Sequence, residues 1–494
     1  MFRQCCGIAA LGFLVPLSAA AETRCEHALK ALAANLADAQ CVESADLTTN
    51  NPDTTPLDNS LPGVPKFAFT PQTDRNTIAP SAGHRTPITK VVPGLQIDAR
   101  IAADPLGQGR FLLRLPDDWN GKLVVAGASG TRSEFNGDFA WSDYVVQQGY
   151  AYASQNKGVL NLYLSTAGDP LGCRLNPVSA TFVHFYDNDP GQEFTRWTDF
   201  MIAAAEIARD GVKANYGKWP RFTYAVGTSN GGYQVRRALE TAPKLFDGGI
   251  DWEGTFVDAQ GPNLLTDLPP AILNFPDYVA SGNDANSTAA KNIRAAGYAP
   301  DIPGIGATGQ PTTLWANYWA SFWEVTQCQW QKRFDPSYDT YGNNGGNTGT
   351  YNYVSRLAST DVGVNVAAVA NSGLIQRPLV TVAGTMDSLL PIDHHARAYA
   401  RKVKAALDAA AHGADPRRPA YRLYEVQNGN HIETYKDGFP QLELIEPHAQ
   451  HAFDLLVQQV EQGTPLPPDQ CIPAGGTIAS APSQPGHCAK LLAP

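Results

Sequence analysis

Ser229 stands at the centre of Gly227-Thr228-Ser229-Asn230-Gly231, a G-x-S-x-G pattern. A strand-like run, residues 222–226 (FTYAV), comes directly before it, and a helical pattern over residues 231–239 directly after. A serine between strand and helix sits on a tight turn that projects its hydroxyl outward, beside helix N–H groups that attract developing negative charge. Small residues two positions to either side let strand and helix approach without clash. A serine hydroxyl is a weak nucleophile, so it needs a base, and the base needs a third group to orient it. Asp387 follows the apolar run 378–383 (PLVTVA) and the turn Gly384-Thr385-Met386. A carboxylate there is exposed at the C-terminal edge of a parallel sheet. Asp393 competes with it, but it directly precedes His394 and a helical pattern and reads as a helix N-cap. Of ten histidines, His431 fits the base best. It lies in Gln427-Asn428-Gly429-Asn430-His431, after the strand-like run 421–426 and before the last long helical stretch. His394, His395, His448 and His451 fall within helical patterns and read as surface or packing residues. Nucleophile, acid and base in this chain order would carry acyl transfer.

Such a reaction also needs N–H donors for an oxyanion. Asn230, next to the nucleophile, supplies one. The second is expected beyond the run 122–126 (KLVVA), in Gly127-Ala128-Ser129-Gly130, with Ala128 chosen by position and Ser129 as the alternative.

The elements that must position these groups alternate. Residues 109–115, 122–126, 150–154, 222–226, 378–383 and 421–426 read as strands, and 193–216, 231–239, 393–410 and 447–462 as helices. Buried strands separated by helices predict an α/β fold with a mostly parallel sheet covered on both faces. The pattern fails over residues 255–370, which hold Trp315, Tyr318, Trp319, Phe322, Trp323 and Trp330. A connection of that length must be a subdomain, expected as a lid over the site. The expected organisation is a signal peptide over 1–21, a terminal strap over 22–84 with a short helix at 26–36, and a core over 85–254. The inserted lid over 255–370, a second core segment over 371–465 and a tail over 466–494 complete it.

Hydrophobic residues make up 43% of the 494, enough for a large core, and the net charge of −10 argues against a nucleic-acid partner. Arg3, the apolar stretch 7–17 and Ser18-Ala19-Ala20-Ala21 read as a secretion signal with cleavage after Ala20 or Ala21, and no later run is long enough to span a membrane. Export would leave Cys25, Cys41, Cys173, Cys328, Cys471 and Cys488, an even set that suggests disulfides but leaves the pairing open. Cys25–Cys41 and Cys471–Cys488 would each close a short terminal loop, and Cys173–Cys328 would tie a core loop to the insertion. No CxxC or calcium-loop spacing occurs, so neither metal nor organic cofactor is expected. Oligomeric state is not legible, and neither is a choice between periplasm and exterior.

The order of strand–Gly127-Ala128-Ser129, Gly227-x-Ser229-x-Gly231, Asp387 and His431 resembles the α/β-hydrolase superfamily over most of residues 105–465. Gly149-Tyr150-Ala151-Tyr152-Ala153-Ser154, the pair Gly231-Gly232 and a large insertion before the acid are similar to secreted tannase and feruloyl-esterase-like enzymes. Val124-Val125-Ala126-Gly127 with Asn156-Lys157-Gly158 resembles extracellular hydroxybutyrate-oligomer hydrolases. The resemblance implies cleavage of carboxylic esters, phenolic or aliphatic and oligomeric, through an acyl-enzyme. The tannase family carries a cysteine before the serine and another after the histidine. Here those positions are Thr228 and Ile432, which points to a related branch. Two rival readings use the same residues: a serine peptidase or amidase, and a non-catalytic binding protein on a hydrolase scaffold.

Overall fold

The computed structural model describes residues 22–51, 81–130, 134–135, 137–158, 162–163, 182–183, 196–338, 348–410 and 419–493. Its main sheet holds β1 (Leu36–Ser44), β2 (Gly94–Ile101), β3 (Arg110–Pro116), β4 (Lys122–Gly127), β5 (Ala151–Gln155), β6 (Phe222–Thr228), β7 (Gly248–Trp252), β8 (Leu379–Gly384), β9 (Tyr421–Val426) and β10 (Gln470–Ile472). They lie in the spatial order β1-β2-β3-β5-β4-β6-β7-β8-β9-β10. The first three neighbouring pairs are antiparallel. Every pair from β5 to β10 is parallel. This is the α/β-hydrolase arrangement.

The principal helices are α1 (Arg24–Leu32), α2 (Arg196–Tyr216), α3 (Asn230–Thr241), α4 (Leu264–Ala280), α5 (Glu324–Phe334), α6 (Ala396–Ala410) and α7 (Glu446–Gln462). Successive side chains of a strand point to opposite faces. In β4, Leu123 and Val125 accordingly join the core beneath α1, α2, α3 and α6, with Leu32, Phe200, Val235 and Val403. Val124 and Ala126 point the other way and pack with Trp141, Phe453 and Leu456, the last two from α7. Burial on both faces explains why the central strands read as continuous apolar runs.

A third core lies between β7 and β8. Trp315, Tyr318, Trp323 and Trp330 cluster there with Phe275 and Tyr278 of α4, and the same cluster includes Met386, Leu389, Leu390, Phe439 and Leu442. The connection therefore packs directly on the loops that follow β8 and β9, those of Asp387 and His431.

Both ends of the chain depart from expectation. The helix expected over 26–36 stops at Leu32, and Leu36 opens β1 instead. β1 is an edge strand with exposed Ala37, Asp38 and Glu43, so its polar outer residues mask the strand pattern. The tail supplies β10, a strand of three residues paired with Tyr424, Glu425 and Val426. Disulfides Cys25–Cys41 and Cys471–Cys488, with Cα separations of 5.5 and 4.6 Å, tie α1 to β1 and β10 to the terminal segment. The expected signal segment and Cys173, the partner considered for Cys328, lie outside the described residues. Among the described residues no helix is long and apolar enough to cross a membrane.

Candidate active site

The chain leaves β4 for β5 on one side and reaches β6 on the other, so the strand order reverses between β4 and β6. In open parallel sheets, ligands bind at the carboxyl ends of strands at such a reversal. The ends meet in register, Ala126 beside Val226 and Gly127 beside Gly227. Ser229 lies just beyond, before α3, with φ 59° and ψ −122°. That left-handed conformation costs a non-glycine residue on the order of 1–3 kcal/mol. The turn is held by Ser229 N–H donating to Trp252 O at 2.9 Å and by Tyr233 N–H donating to Ser229 O at 3.1 Å. Close approach of the backbones requires glycine: a Cβ on Gly231 would lie 2.5 Å from Gly127 O, and one on Gly227 would lie 2.3 Å from Gly231 O.

Asp387 is buried in the loop after β8. Its Oδ1 accepts N–H bonds from Leu389 and Leu390, each 2.7 Å, and its Oδ2 lies 2.8 Å from His431 Nδ1. His431 Nε2 lies 3.0 Å from Ser229 Oγ. An ionised carboxylate only accepts, so Nδ1 carries the proton and Nε2 presents its lone pair to the serine hydroxyl. The acid and base loops are stitched together, Met386 N–H donating to Gly429 O at 2.7 Å. From the insertion, Tyr318 donates its hydroxyl to Asn430 Oδ1 at 2.9 Å. The structure thus brings Ser229, Asp387 and His431 into one hydrogen-bonded chain. Asp393, by contrast, is half-exposed and pairs with Arg397 at 3.0 Å.

The two expected oxyanion donors are placed differently. Asn230 opens α3, where a first-turn N–H has no partner within the helix. The Ala128 N–H instead donates inward to Gln234 Oε1 at 2.8 Å. Gln155 Nε2 donates to the same oxygen at 3.1 Å, which fixes the orientation of the Gln234 amide. Gln234 lies 106 residues beyond Ala128, so no local pattern reveals this bond. Beyond Ala128 the loop is gripped by Lys157. Its ammonium donates to Ser129 O and to Gly130 O, and lies 4.6 Å from the Trp197 ring centroid. Burial lowers the Lys157 pKa to about 7.

Sequence reasoning missed a fourth group. Glu253 directly follows β7, is buried, and has φ 51°. Its Oε1 accepts Gly384 N–H at 2.9 Å, and its Oε2 lies 3.5 Å from His431 Nδ1. Burial, and then the Asp387 charge, push Glu253 well above the ordinary carboxylate range. The signal available was a carboxylate at the end of Gly248-Gly249-Ile250-Asp251-Trp252, a short run with few apolar residues. Glu253, Asp387 and His431 set ligand-type atoms within 4.8 Å of one another. A cation among them would have to displace the Nδ1 proton that orients the imidazole.

Residues 343–487 match the family model described as 3HB-oligomer hydrolase, a stretch that includes Asp387 and His431 but not Ser229. The D-(-)-3-hydroxybutyrate oligomer hydrolase of Burkholderia thailandensis is 33% identical over 129 residues, 25% of this chain and 17% of that protein. The protein of the same name from Burkholderia vietnamiensis is 33% identical over 130 residues, 25% of this chain and 18% of that one. The match thus spans less than a fifth of these relatives. Among solved structures, feruloyl esterase B from Aspergillus oryzae aligns over 87% of this chain and 88% of its own, at 13% identity and a TM-score of 0.49. Tannin acyl hydrolase from Aspergillus niger aligns over 80% and 87%, at 13% identity and a TM-score of 0.39. The chain has the α/β-hydrolase fold, and its later part resembles the 3HB-oligomer hydrolases.

Proposed function

We propose that the protein is an exported serine hydrolase that cleaves carboxylic esters through an acyl-enzyme. The observation that carries this reading is the linked chain Asp387 Oδ2–His431 Nδ1 (2.8 Å) and His431 Nε2–Ser229 Oγ (3.0 Å). His431 takes the Ser229 proton as Oγ attacks the ester carbonyl, and Asp387 stabilises the imidazolium. The first-turn N–H of Asn230 donates to the tetrahedral oxygen, and a second donor is expected from the loop after Gly127. His431 then passes its proton to the leaving alcohol, and water repeats the sequence to free the acid. The strained turn at Ser229 and the short connected bonds support a preorganised nucleophile.

Short oligoesters of hydroxybutyrate are the proposed substrates, on the strength of the match over 343–487 and the names of the relatives. Two disulfides in the described residues and the apolar, alanine-ended segment 1–21 support export. The test is kcat/KM for 3-hydroxybutyrate trimer, p-nitrophenyl butyrate, methyl ferulate and a matched butyryl amide, for wild type and Ser229→Ala. Ester turnover exceeding amide turnover, and lost in Ser229→Ala, is expected. Undiminished ester cleavage by the variant would overturn the serine mechanism, and a preference for the amide would overturn the esterase reading.

A further inference from the structure

Two carboxyl groups, not one, face the orienting side of His431. We propose that Glu253 is a reserve acid for the imidazole, a positioning residue that takes over from Asp387 at Nδ1 when Asp387 carries no charge. This deepens, and rests on, the triad reading above.

The placement follows from the sheet. β7 lies between the nucleophile strand β6 and the acid strand β8, so the residue after its end is delivered to the same rim. Glu253 is fixed there by its own N–H, which donates to Val382 O at 2.8 Å, and by Gly384 N–H on Oε1. Its other oxygen, Oε2, is buried without a hydrogen-bond partner and points to His431 Nδ1 from 3.5 Å. A buried polar oxygen left unpaired is costly, and its retention beside a base asks for a reason.

The occupancy of the pair follows from hydrogen-bond donors. Asp387 Oδ1 has two N–H bonds, and Glu253 has one from Gly384. Two like charges this close in a dry site repel, and burial with that repulsion favours the proton on Glu253. The remaining groups around them do not reverse this order. Tyr298 and Tyr318 stay neutral, both pushed well above the ordinary phenol range by burial first, then Tyr298 by the Asp267 and Asp387 charges and Tyr318 by the Asp387 charge. His395 is lowered by burial, and Glu433 is raised by burial and then by Glu446. If the Asp387 carboxylate is removed, burial still favours the proton on Glu253, but the second cause, repulsion from Asp387, goes with it, and the imidazolium formed during reaction favours the Glu253 anion. Glu253 then releases that proton to solvent, Oε2 becomes the anion, and closing the gap by about 0.5 Å makes an ordinary N–H···O bond to Nδ1. The tautomer required for attack by Ser229 is kept.

The experiment is a double-mutant cycle on the full chain with p-nitrophenyl butyrate. It uses Asp387→Ala, Glu253→Met and the pair, with kcat followed against pH. Alanine is preferred to asparagine because an amide would itself donate to Nδ1 and impose the wrong tautomer. Asp387→Ser, whose hydroxyl can still accept from Leu389 and Leu390, replaces it should the alanine variant not fold. Loss of a triad acid outright costs roughly 10⁴-fold in kcat. With the reserve in place, Asp387→Ala should lose only about 10²-fold. Adding Glu253→Met should cost about another 10²-fold, at least tenfold more than the same change costs in wild type. The acid limb of Asp387→Ala should also show an ionisation that the double variant lacks. Additive losses, or Asp387→Ala already at the full loss, overturn the proposal. A Ser229→Ala control separates the two levels: if it remains active, the triad reading itself has failed, whatever the carboxyl variants do.

Discussion

Replacing Gly231 by alanine tests whether the backbone approach at the elbow sets the reacting geometry. The added Cβ would lie 2.5 Å from Gly127 O and 2.8 Å from Gly127 C, whereas ordinary contact starts at 3.4 Å. The first turn of α3 and the loop after β4 must therefore separate by about 0.9 Å, because the obstacle is backbone and no rotamer relieves it. That movement shifts Ser229 and Asn230 together, away from Gly127 and the loop residues that follow it. A misplacement of about 1 Å costs on the order of 10²-fold in rate, and overpacking costs about 1–3 kcal/mol of stability. The assay is kcat on p-nitrophenyl butyrate together with thermal unfolding. Gly83→Ala serves as control, since a Cβ there meets nothing within 4 Å. A Gly231→Ala protein with kcat within twofold of wild type and an unchanged melting temperature would refute the steric reasoning.

Other consequences follow from single groups. Lys157→Met removes the donor to Ser129 O and Gly130 O, and should lower kcat roughly tenfold or more with KM little changed; equal loss in both would point to general disruption. Arg236 and Asp251 pair at 2.6 Å with both side chains fully buried, so Arg236→Leu should cost about 3–5 kcal/mol in a denaturant titration by stranding the Asp251 charge. His394 bonds Asp267 of α4 at 2.9 Å, and that bond raises its pKa above 6.5. A raised histidine stabilises fully below its unfolded pKa and loses the effect as pH rises through the folded value. The two hydrogen-bonded histidines outweigh burial to lower Asp267 below 3.8, so its contribution is present above that value and fades as pH falls through the folded one. His394→Gln should therefore destabilise most below the ordinary histidine pKa, and the difference should shrink as pH rises through the raised folded value, read by thermal unfolding; a pH-independent difference would exclude the ionic latch.

Legibility in the sequence followed how local each signal was. Ser229 could be read because strand, motif and helix are consecutive, and Asp387 and His431 because each follows an apolar strand by a few residues. The central strands declared themselves through burial on both faces. β1 and β10 did not: one alternates exposed and half-buried residues at an edge, the other is three residues long. The direction of the Ala128 N–H was hidden because Gln234, far along the chain, decides it. Glu253 was hidden for a different reason. Its meaning depends on β7 lying between β6 and β8, a fact of topology that no run of residues records. The histidines at 394 and 395, read as surface or packing residues, make contacts with Asp267 that depend on how α4 folds back onto the core.

The central claim is that Ser229 Oγ becomes acylated. The direct measurement is mass spectrometry of protein quenched during turnover of p-nitrophenyl butyrate, followed by peptide mapping. The account predicts a butyryl adduct on the peptide containing Ser229, formed in a burst and missing from Ser229→Ala. Steady ester turnover with the adduct on another residue, or continued turnover by Ser229→Ala, would contradict it.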